Sequence, residues 1–283
     1  MSDPVVWRPE MTTKLDVGPW THRRDSRLID TPSRMVVALM GGLGNQMFQR
    51  AFGLALTTRG YNVCYNTGRC RDYSLDYFEK LPFSADIDMR IFEESLRYNP
   101  KYLSPKGPST LIGFWQSEQY FQDIADKVRG AFLFKNPSLA SRTAKLVLQV
   151  QEPDSVFVHV RRGDYVNLQH YHGMPSLDYY DSAVSRIRDV HLNANVFIFS
   201  DDPQWCHESF SSEFQVIEGT TKYEDLYLMS LCQHAVIANS SFGWWGAWLG
   251  DNRVDRIVVA PKTWFTMTGL DSSDLVPSRW IRA

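Results

Sequence analysis

Two neighbouring guanidinium groups follow one short apolar run. Val156–Val160, VFVHV, leads directly into Arg161-Arg162-Gly163-Asp164-Tyr165. A guanidinium stays charged at any physiological pH, and its fork of donors fits phosphate oxygens. Two further apolar runs end in polar clusters. VFIFS (Val196–Ser200) runs into Asp201-Asp202, and AVIAN (Ala235–Asn239) into Ser240-Ser241-Phe242-Gly243. Guanidinium groups, carboxylates, hydroxyls and a glycine turn thus fall together at the strand ends, where phosphate oxygens could be held. Each also has a plainer use. An arginine could pair with Asp164 as a structural ion pair, and alternation predicts one arginine bridging inward with the other facing a cleft. Ser240 and Ser241 could cap a helix, whose free N–H groups and dipole would favour an anion at the same place. Asp225 falls in the first turn of a predicted helix, where the dipole favours an acid. A carboxylate there also has the shape to accept from the N1–H and N2–H₂ edge of guanine.

A glycine knot, Gly41-Gly42-Leu43-Gly44, follows the apolar run Met35–Leu39 and opens a helical stretch. It is not a dinucleotide fingerprint. Met47 stands where the third glycine would be, the next strand runs into Asn66 rather than an acid, and no GK[ST] follows. A loop that ends a strand and opens a helix still turns N–H groups toward a ligand cleft. Metal signals are weak. Asp86-Ile87-Asp88 follows a polar stretch rather than a strand, and no histidine pair has zinc spacing. The cysteines, Cys64, Cys70, Cys206 and Cys232, form no CxxC and read as reduced thiols. Arg162-Gly163-Asp164 spells an adhesion tripeptide, but the chain shows neither secretion nor disulfide signals.

The elements that must carry these residues alternate between strand and helix. Besides the three runs above, Phe214–Glu218 and Ile257–Ala260 read as strands. Leu177–Asp189, Pro203–Phe210, Tyr223–Gln233 and Trp244–Leu249 read as helices. The strands are apolar on both faces, which predicts parallel sheets covered on both sides. The first half shows the same alternation more loosely: strand Met35–Leu39, helix Asn45–Arg59, strand Tyr61–Tyr65, an apolar run Leu111–Trp115, and helical stretches 120–132 and 138–149. Two α/β halves facing each other are expected, 34–152 and 153–283, after a polar extension at 1–33. In open parallel sheets ligands bind beyond the carboxyl ends of the strands, where the polar clusters fall. Of 283 residues 43% are hydrophobic, and the net charge is -2. That balance argues against wholesale attraction to nucleic acid or membrane. No segment reads as a signal peptide or membrane span, so a cytoplasmic protein is expected. The 9 tryptophans are expected to be mostly packing.

GGLGNQMFQ (41–49), FWQSEQYF (114–121), HVRRGDY (159–165), FIFSDD (197–202) and NSSFGWWGAWL (239–249) together resemble the inverting α-1,2-fucosyltransferases of glycosyltransferase family 11. They occur in the family's order and span about 40–250. HVRRGDY and NSSFGWWGAWL carry most of the specificity. The resemblance implies a GT-B fold: two Rossmann-like domains with parallel sheets facing across a cleft, in a bacterial member. It implies GDP-β-L-fucose as donor, a terminal β-galactoside or lactose-like acceptor, inversion, and no metal cofactor. It places Arg161 on the β-phosphate and His159 near the ribose or base. Ser240, Ser241 and the Phe242 amide would surround the diphosphate, and Asp225 would read guanine. Gly44 and Asn45 would reach over from the acceptor side, and Arg162 and Asp164 would support the site. Inversion calls for a base on the acceptor hydroxyl, for which His172, Asp164 and Glu118 are the candidates. Two other readings stay open: a related enzyme using another GDP-sugar, and a non-catalytic carbohydrate-binding protein with a tryptophan-rich surface.

Overall fold

The computed structural model describes residues 33–70, 72–85, 91–93, 96–134, 141–167 and 172–283. The chain from Pro32 onward forms one compact unit. The expected extension at 1–33, all but its last residue, and Asp86-Ile87-Asp88 lie outside the described residues.

The first sheet holds β1 (Arg34–Met40), β2 (Asn62–Arg69), β3 (Ile91–Glu93) and β4 (Ser109–Ile112), in the order β2-β1-β4-β3. The helix α1 (Leu43–Thr58) joins β1 to β2. Helices α2 (Ala125–Ala131) and α3 (Ser141–Val150) lead to the second sheet. That sheet holds β5 (Ser155–Val160), β6 (Asn195–Ser200), β7 (Gln215–Ile217), β8 (His234–Val236), β9 (Val258–Ala260) and β10 (Ile281–Arg282). Its order is β10-β9-β8-β5-β6-β7. Every pairing in both sheets is parallel. The connecting helices are α4 (Leu177–Arg188), α5 (Pro203–Ser209), α6 (Lys222–Leu231) and α7 (Ser241–Leu249). This is the α/β architecture of parallel sheets expected from the strand–helix alternation, and it is of the GT-B type that the resemblance implies.

The β5 strand shows why the sequence takes this form. Every residue from Ser155 to Val160 is buried, the polar Ser155 and His159 included, so the strand does not alternate with exposed positions. Its side chains still divide by face. Val156, Val158 and Val160 pack with Tyr180, Val184, Ile187 and Cys206 from α4 and α5. Phe157 joins the other core, which holds Leu226 and Met229 of α6 and the tryptophans of α7.

That second core continues into the first sheet without a break. The rings of Phe48 on α1 lie 4.4 Å from Trp244 and 5.0 Å from Trp245. Phe121 stacks on Trp245 at 5.7 Å. Such pairs contribute about 0.5–1.5 kcal/mol each beyond the area they bury. The two halves are therefore fused along an α1–α7 seam. Trp244, Trp245 and Trp248 are all 0–1% exposed. That removes the tryptophan-rich carbohydrate surface considered from sequence.

Each sheet grows to both sides of its first strand. The chain runs β5-β6-β7 to one side and then returns for β8-β9-β10 on the other, so the switch lies between β5 and β8. In the first sheet it lies between β1 and β4. These switch points are where open α/β sheets bind ligands.

Several boundaries differ from the sequence expectation. The α7 helix starts at Ser241, not Trp244, because Ser240 caps it. The AVIAN run pairs as a strand only over His234–Val236. Beyond it, Ile237 and Ala238 still donate to Val259 O (2.9 Å) and His159 O (3.0 Å). The predicted helix 120–132 begins as 3-10 turns, Glu118–Tyr120 and Gln122–Ile124, before α2. Strands β3 and β10 are three and two residues long, too short to leave a periodic signal.

Candidate active site

The β5 strand delivers His159, Arg161 and Arg162 to the switch point. His159 is 5% exposed and its ring lies 5.8 Å from that of Phe242. A Cβ on Gly243 would stand 2.6 Å from His159 Nδ1, so only glycine fits in that turn of α7. Burial pushes the His159 imidazolium pKa down to about 3, helped by the nearby Arg161 charge. The ring is neutral at pH 7.

The two arginines pair with different carboxylates, and both line one hollow. Arg162 turns to the α5 face, where its guanidinium lies 4.0 Å over the Trp205 ring and Nε donates to Asp202 Oδ2 at 3.0 Å. Arg161 Nη1 meets Asp201 Oδ2 at 2.9 Å. Its guanidinium also lies 5.6 Å over the Tyr165 ring. Asp201 is thus a carboxylate partner of Arg161. Asp201 Oδ1 also accepts the Arg162 N–H at 2.9 Å, and a Cβ on Gly163 would collide with Asp201 Oδ2. Asp164 opens a 3-10 turn, Asp164–Asn167; its side chain lies outside the described residues.

Beyond β8, Asn239 and Ser240 form the opposite wall. Ser240 Oγ accepts from Phe242 N–H at 3.3 Å, an N-cap. The Phe242 amide, expected on a diphosphate, is thus engaged in the cap, and Gly44 packs directly over it. A Cβ on Gly44 would lie 2.6 Å from Phe242 N and 2.7 Å from Ser241 Oγ. Gly44 O accepts from Trp245 Nε1 at 2.9 Å. The glycine loop therefore touches the α7 terminus itself.

Asn239 ties down the segment that crosses the switch point. Its Nδ2 donates to His172 O (2.6 Å), Gly173 O (3.2 Å) and Trp264 O (2.9 Å). Its own carbonyl accepts from Tyr165 OH at 3.1 Å. His172 stacks flat on Tyr165, centroids 4.1 Å apart at 5°. His172, a base candidate from the sequence, is held in an aromatic stack on the ring over which Arg161 lies. Two hollows flank this segment and share Met174 and Pro175. One, of about 210 Å³, is lined by His172, Asn239 and Lys262. The other, of about 230 Å³, is lined by Arg161, Arg162 and Trp205.

The first sheet contributes Asn45 and a glutamine network that the sequence reading missed. Gln116 Nε2 donates to Asn45 Oδ1 at 2.8 Å, bridging the β1/β4 switch point. Gln49 accepts from Met40 N–H and donates to Gly113 O. Trp115, just before Gln116, has φ of 55°, a strained value for a bulky residue. Its flat stack on Phe52, at 4.1 Å, holds it there.

Glu118 does something other than expected. Its Oε1 accepts from Arg279 Nη1 (2.5 Å), and its Oε2 from Arg279 Nη2 (2.8 Å) and Trp248 Nε1 (3.0 Å). A carboxylate so committed is a strut between the halves.

Asp225 stands in the first turn of α6, where Thr221 and Glu224 form a capping box. Burial pushes its pKa up to about 6, against the lowering effect of a 2.5 Å hydrogen bond donated by Thr220 Oγ1. A carboxylate paired only with a hydroxyl in such a place is suited to a ligand that donates.

Among the described residues, one group has metal-ligand composition: Asp154, His191 and His234. It lies at the amino ends of β5 and β8, opposite the site. His234 Nδ1 accepts from Ile257 N–H at 3.1 Å. The neutral ring must then carry its proton on Nε2, which makes it a poor ligand.

A sequence profile described as "Glycosyl transferase family 11" matches residues 104–282. The chain belongs to glycosyltransferase family 11. An Escherichia coli "Alpha-1,2-colitosyltransferase" is 36% identical over 290 residues, covering 88% of this chain and 99% of that protein. The E. coli "O-antigen biosynthesis glycosyltransferase WbnK" is 37% identical, covering 87% and 99%. The bovine "Galactoside alpha-(1,2)-fucosyltransferase 1" is 28% identical, covering 79% and 68%. This family-11 chain is thus a glycosyltransferase of the fucosyltransferase type. No described helix is long and apolar enough to cross a membrane.

Proposed function

We propose that the protein transfers L-fucose from GDP-β-L-fucose to the 2-hydroxyl of a terminal β-galactoside, with inversion and without a metal ion. The half at 153–283 would hold the donor and the half at 34–152 the acceptor. The observation that carries this reading is Arg161 at the β5/β8 switch point of a family-11 chain.

The acceptor oxygen bonds to C1 of the sugar as the C1–O bond to the diphosphate breaks on the opposite face. The acceptor proton passes to a base, and GDP leaves with the bond's electron pair. Arg161 bears the charge that develops on the β-phosphate. Its guanidinium has five donors, so Asp201 can hold one edge while another faces phosphate. Each such charge-assisted hydrogen bond contributes about 1.5–3 kcal/mol. The α7 terminus at Ser240 and Ser241 adds its dipole. Neutral His159 meets the ribose or base without adding charge, and Asp225 accepts from guanine. Asn45, oriented by Gln116, approaches from the acceptor side beside Gly44. Of the base candidates, His172 and Asp164 remain, since Glu118 is engaged by Arg279. The reaction is assigned to the bacterial cytoplasm, on a surface glycan or its precursor.

A second reading has a specific observation behind it. A relative named for colitosyl transfer is 36% identical, against 28% for the bovine fucosyltransferase. Colitose is 3-deoxy-L-fucose, so the two donors differ by one hydroxyl. A site that hydrogen-bonds that hydroxyl would reject the deoxy sugar by about 10⁴-fold, whereas one that ignores it would barely discriminate.

Thermal-shift titration with GDP, UDP, L-fucose and lactose in EDTA tests the donor side. Stabilisation by GDP well before UDP or the free sugars is expected. A response to sugar alone, or to GDP only after divalent metal is added, would overturn the reading.

A further inference from the structure

Gln46 belongs to the glycine-loop motif, yet it reaches no part of the site described above. It is fully buried on α1. Its Nε2 donates to Gly41 O at 2.9 Å and to Asp72 O at 2.6 Å. Its Oε1 accepts from Ser74 N–H at 2.9 Å. Both amide hydrogens are used, so the orientation is fixed. One side chain thus joins the glycine loop to a turn 26–28 residues further along the chain.

That turn is docked on the first turn of α6. Lys222 Nζ donates to Asp72 Oδ2 (2.8 Å) and Ser74 Oγ (2.7 Å). Tyr223 OH donates to Ser74 O at 2.9 Å. Tyr77 stacks on Tyr223, centroids 4.1 Å apart at 7°. The same helical turn carries Asp225. Lys222–Asp72 is a surface pair and contributes little alone. The buried amide, the tyrosine hydrogen bond and the stacked rings give the contact its geometry.

We propose that Gln46 is a positioning residue for guanine recognition: it sets the turn at Asp72–Ser74 that orients the first turn of α6, and with it Asp225. The inference rests on the proposed reading of Asp225 as the guanine acceptor. The donor site is then complete only when the two halves are docked, and the glycine loop and the base-reading helix share one support. Gln46 acts through main-chain atoms of the first half and touches no reacting group, so its loss is read in donor binding and base preference.

The test compares GDP with IDP, which lacks the guanine 2-amino group, by calorimetric titration of the full chain. The variants are Gln46→Leu, Tyr223→Phe, Asp225→Asn and the double variant Gln46→Leu/Asp225→Asn. Loss of one charge-assisted bond predicts a GDP preference over IDP of about 10-fold or more in the parent protein. Asp225→Asn removes this preference. Gln46→Leu cuts it to about 3-fold or less and raises the donor KM about 10-fold, with kcat at saturating donor within about 3-fold; in the Asp225→Asn background it changes nothing further. Tyr223→Phe, at the accessible end of the contact, moves the same ratio more weakly and serves if Gln46→Leu does not fold. An unchanged ratio in the folded Gln46 or Tyr223 variants, or additive losses in the double variant, overturns the positioning role. An unchanged ratio in Asp225→Asn overturns the guanine reading beneath it.

Discussion

Gly44 and Ser241 pack so closely that no side chain larger than hydrogen fits at position 44. A Cβ there would lie 2.5 Å from the Ser241 carbonyl carbon and 2.7 Å from its Oγ. This pair is thus where the glycine loop meets the helix that follows the β5/β8 switch point.

Gly44→Ala should therefore separate the halves at their functional end. Overpacking of this kind costs about 1–3 kcal/mol. A fall in Tm with a loss of kcat/KM of about 10-fold or more is expected. Gly42→Ala is the control: nothing lies within 4 Å of its added Cβ. As an N-cap change it should cost only about 0.5–1 kcal/mol and keep activity near the parent level.

Arg161 should tolerate no replacement that loses its fork. Arg161→Ala is expected to lower kcat/KM about 10- to 150-fold, from one charge-assisted bond of about 1.5–3 kcal/mol. Arg161→Lys should recover only part of this, because an ammonium cannot serve Asp201 and a phosphate at once with the same geometry. Steady-state kinetics with varied donor decides it.

Much of this site lay open in the sequence because it sits at strand ends. Runs of Val, Ile and Phe marked β1, β5, β6, β8 and β9, and the polar residues after them fell at the switch points. What stayed hidden depends on contacts between distant segments. Gln46, Gln49 and Gln116 act through hydrogen bonds to backbone or to Asn45, which no periodicity reports. Arg161 has a carboxylate nearby in sequence, Asp164, but its pairing with Asp201 comes from the parallel register of β5 with β6, which no spacing announces. Glu118 looked like a base because nothing near it in sequence announces Arg279.

Glu118→Gln distinguishes strut from base. Loss of the bidentate pair with Arg279 should lower Tm, while kcat stays within about 3-fold of the parent. A general base contributes about 10²–10⁴-fold. A loss of kcat in that range with unchanged Tm would make Glu118 the base after all.

Donor binding should depend on pH through Asp225. Its folded pKa is raised to about 6 from 3.8 by burial. The folded chain therefore holds the proton more tightly than the unfolded one, so this group's contribution to stability is greatest below 3.8 and is lost as pH rises through 6. Guanine needs the ionised form, so binding runs the other way: GDP affinity should rise with pH through about 6 and level off near 7. Titrations between pH 5 and 8 check this, and Asp225→Asn should flatten the curve. His159, with its pKa pushed to about 3, should add no inflection in that range.

The most direct test is the product itself. The full chain is incubated with GDP-β-L-fucose and lactose in EDTA, with the 3-deoxy donor in parallel, and the product is characterised by NMR. An α-linked L-fucose on the galactose 2-hydroxyl, formed from the β-linked donor without added metal, is the expected result. No transfer, transfer to another hydroxyl, or a β-linked product would contradict it.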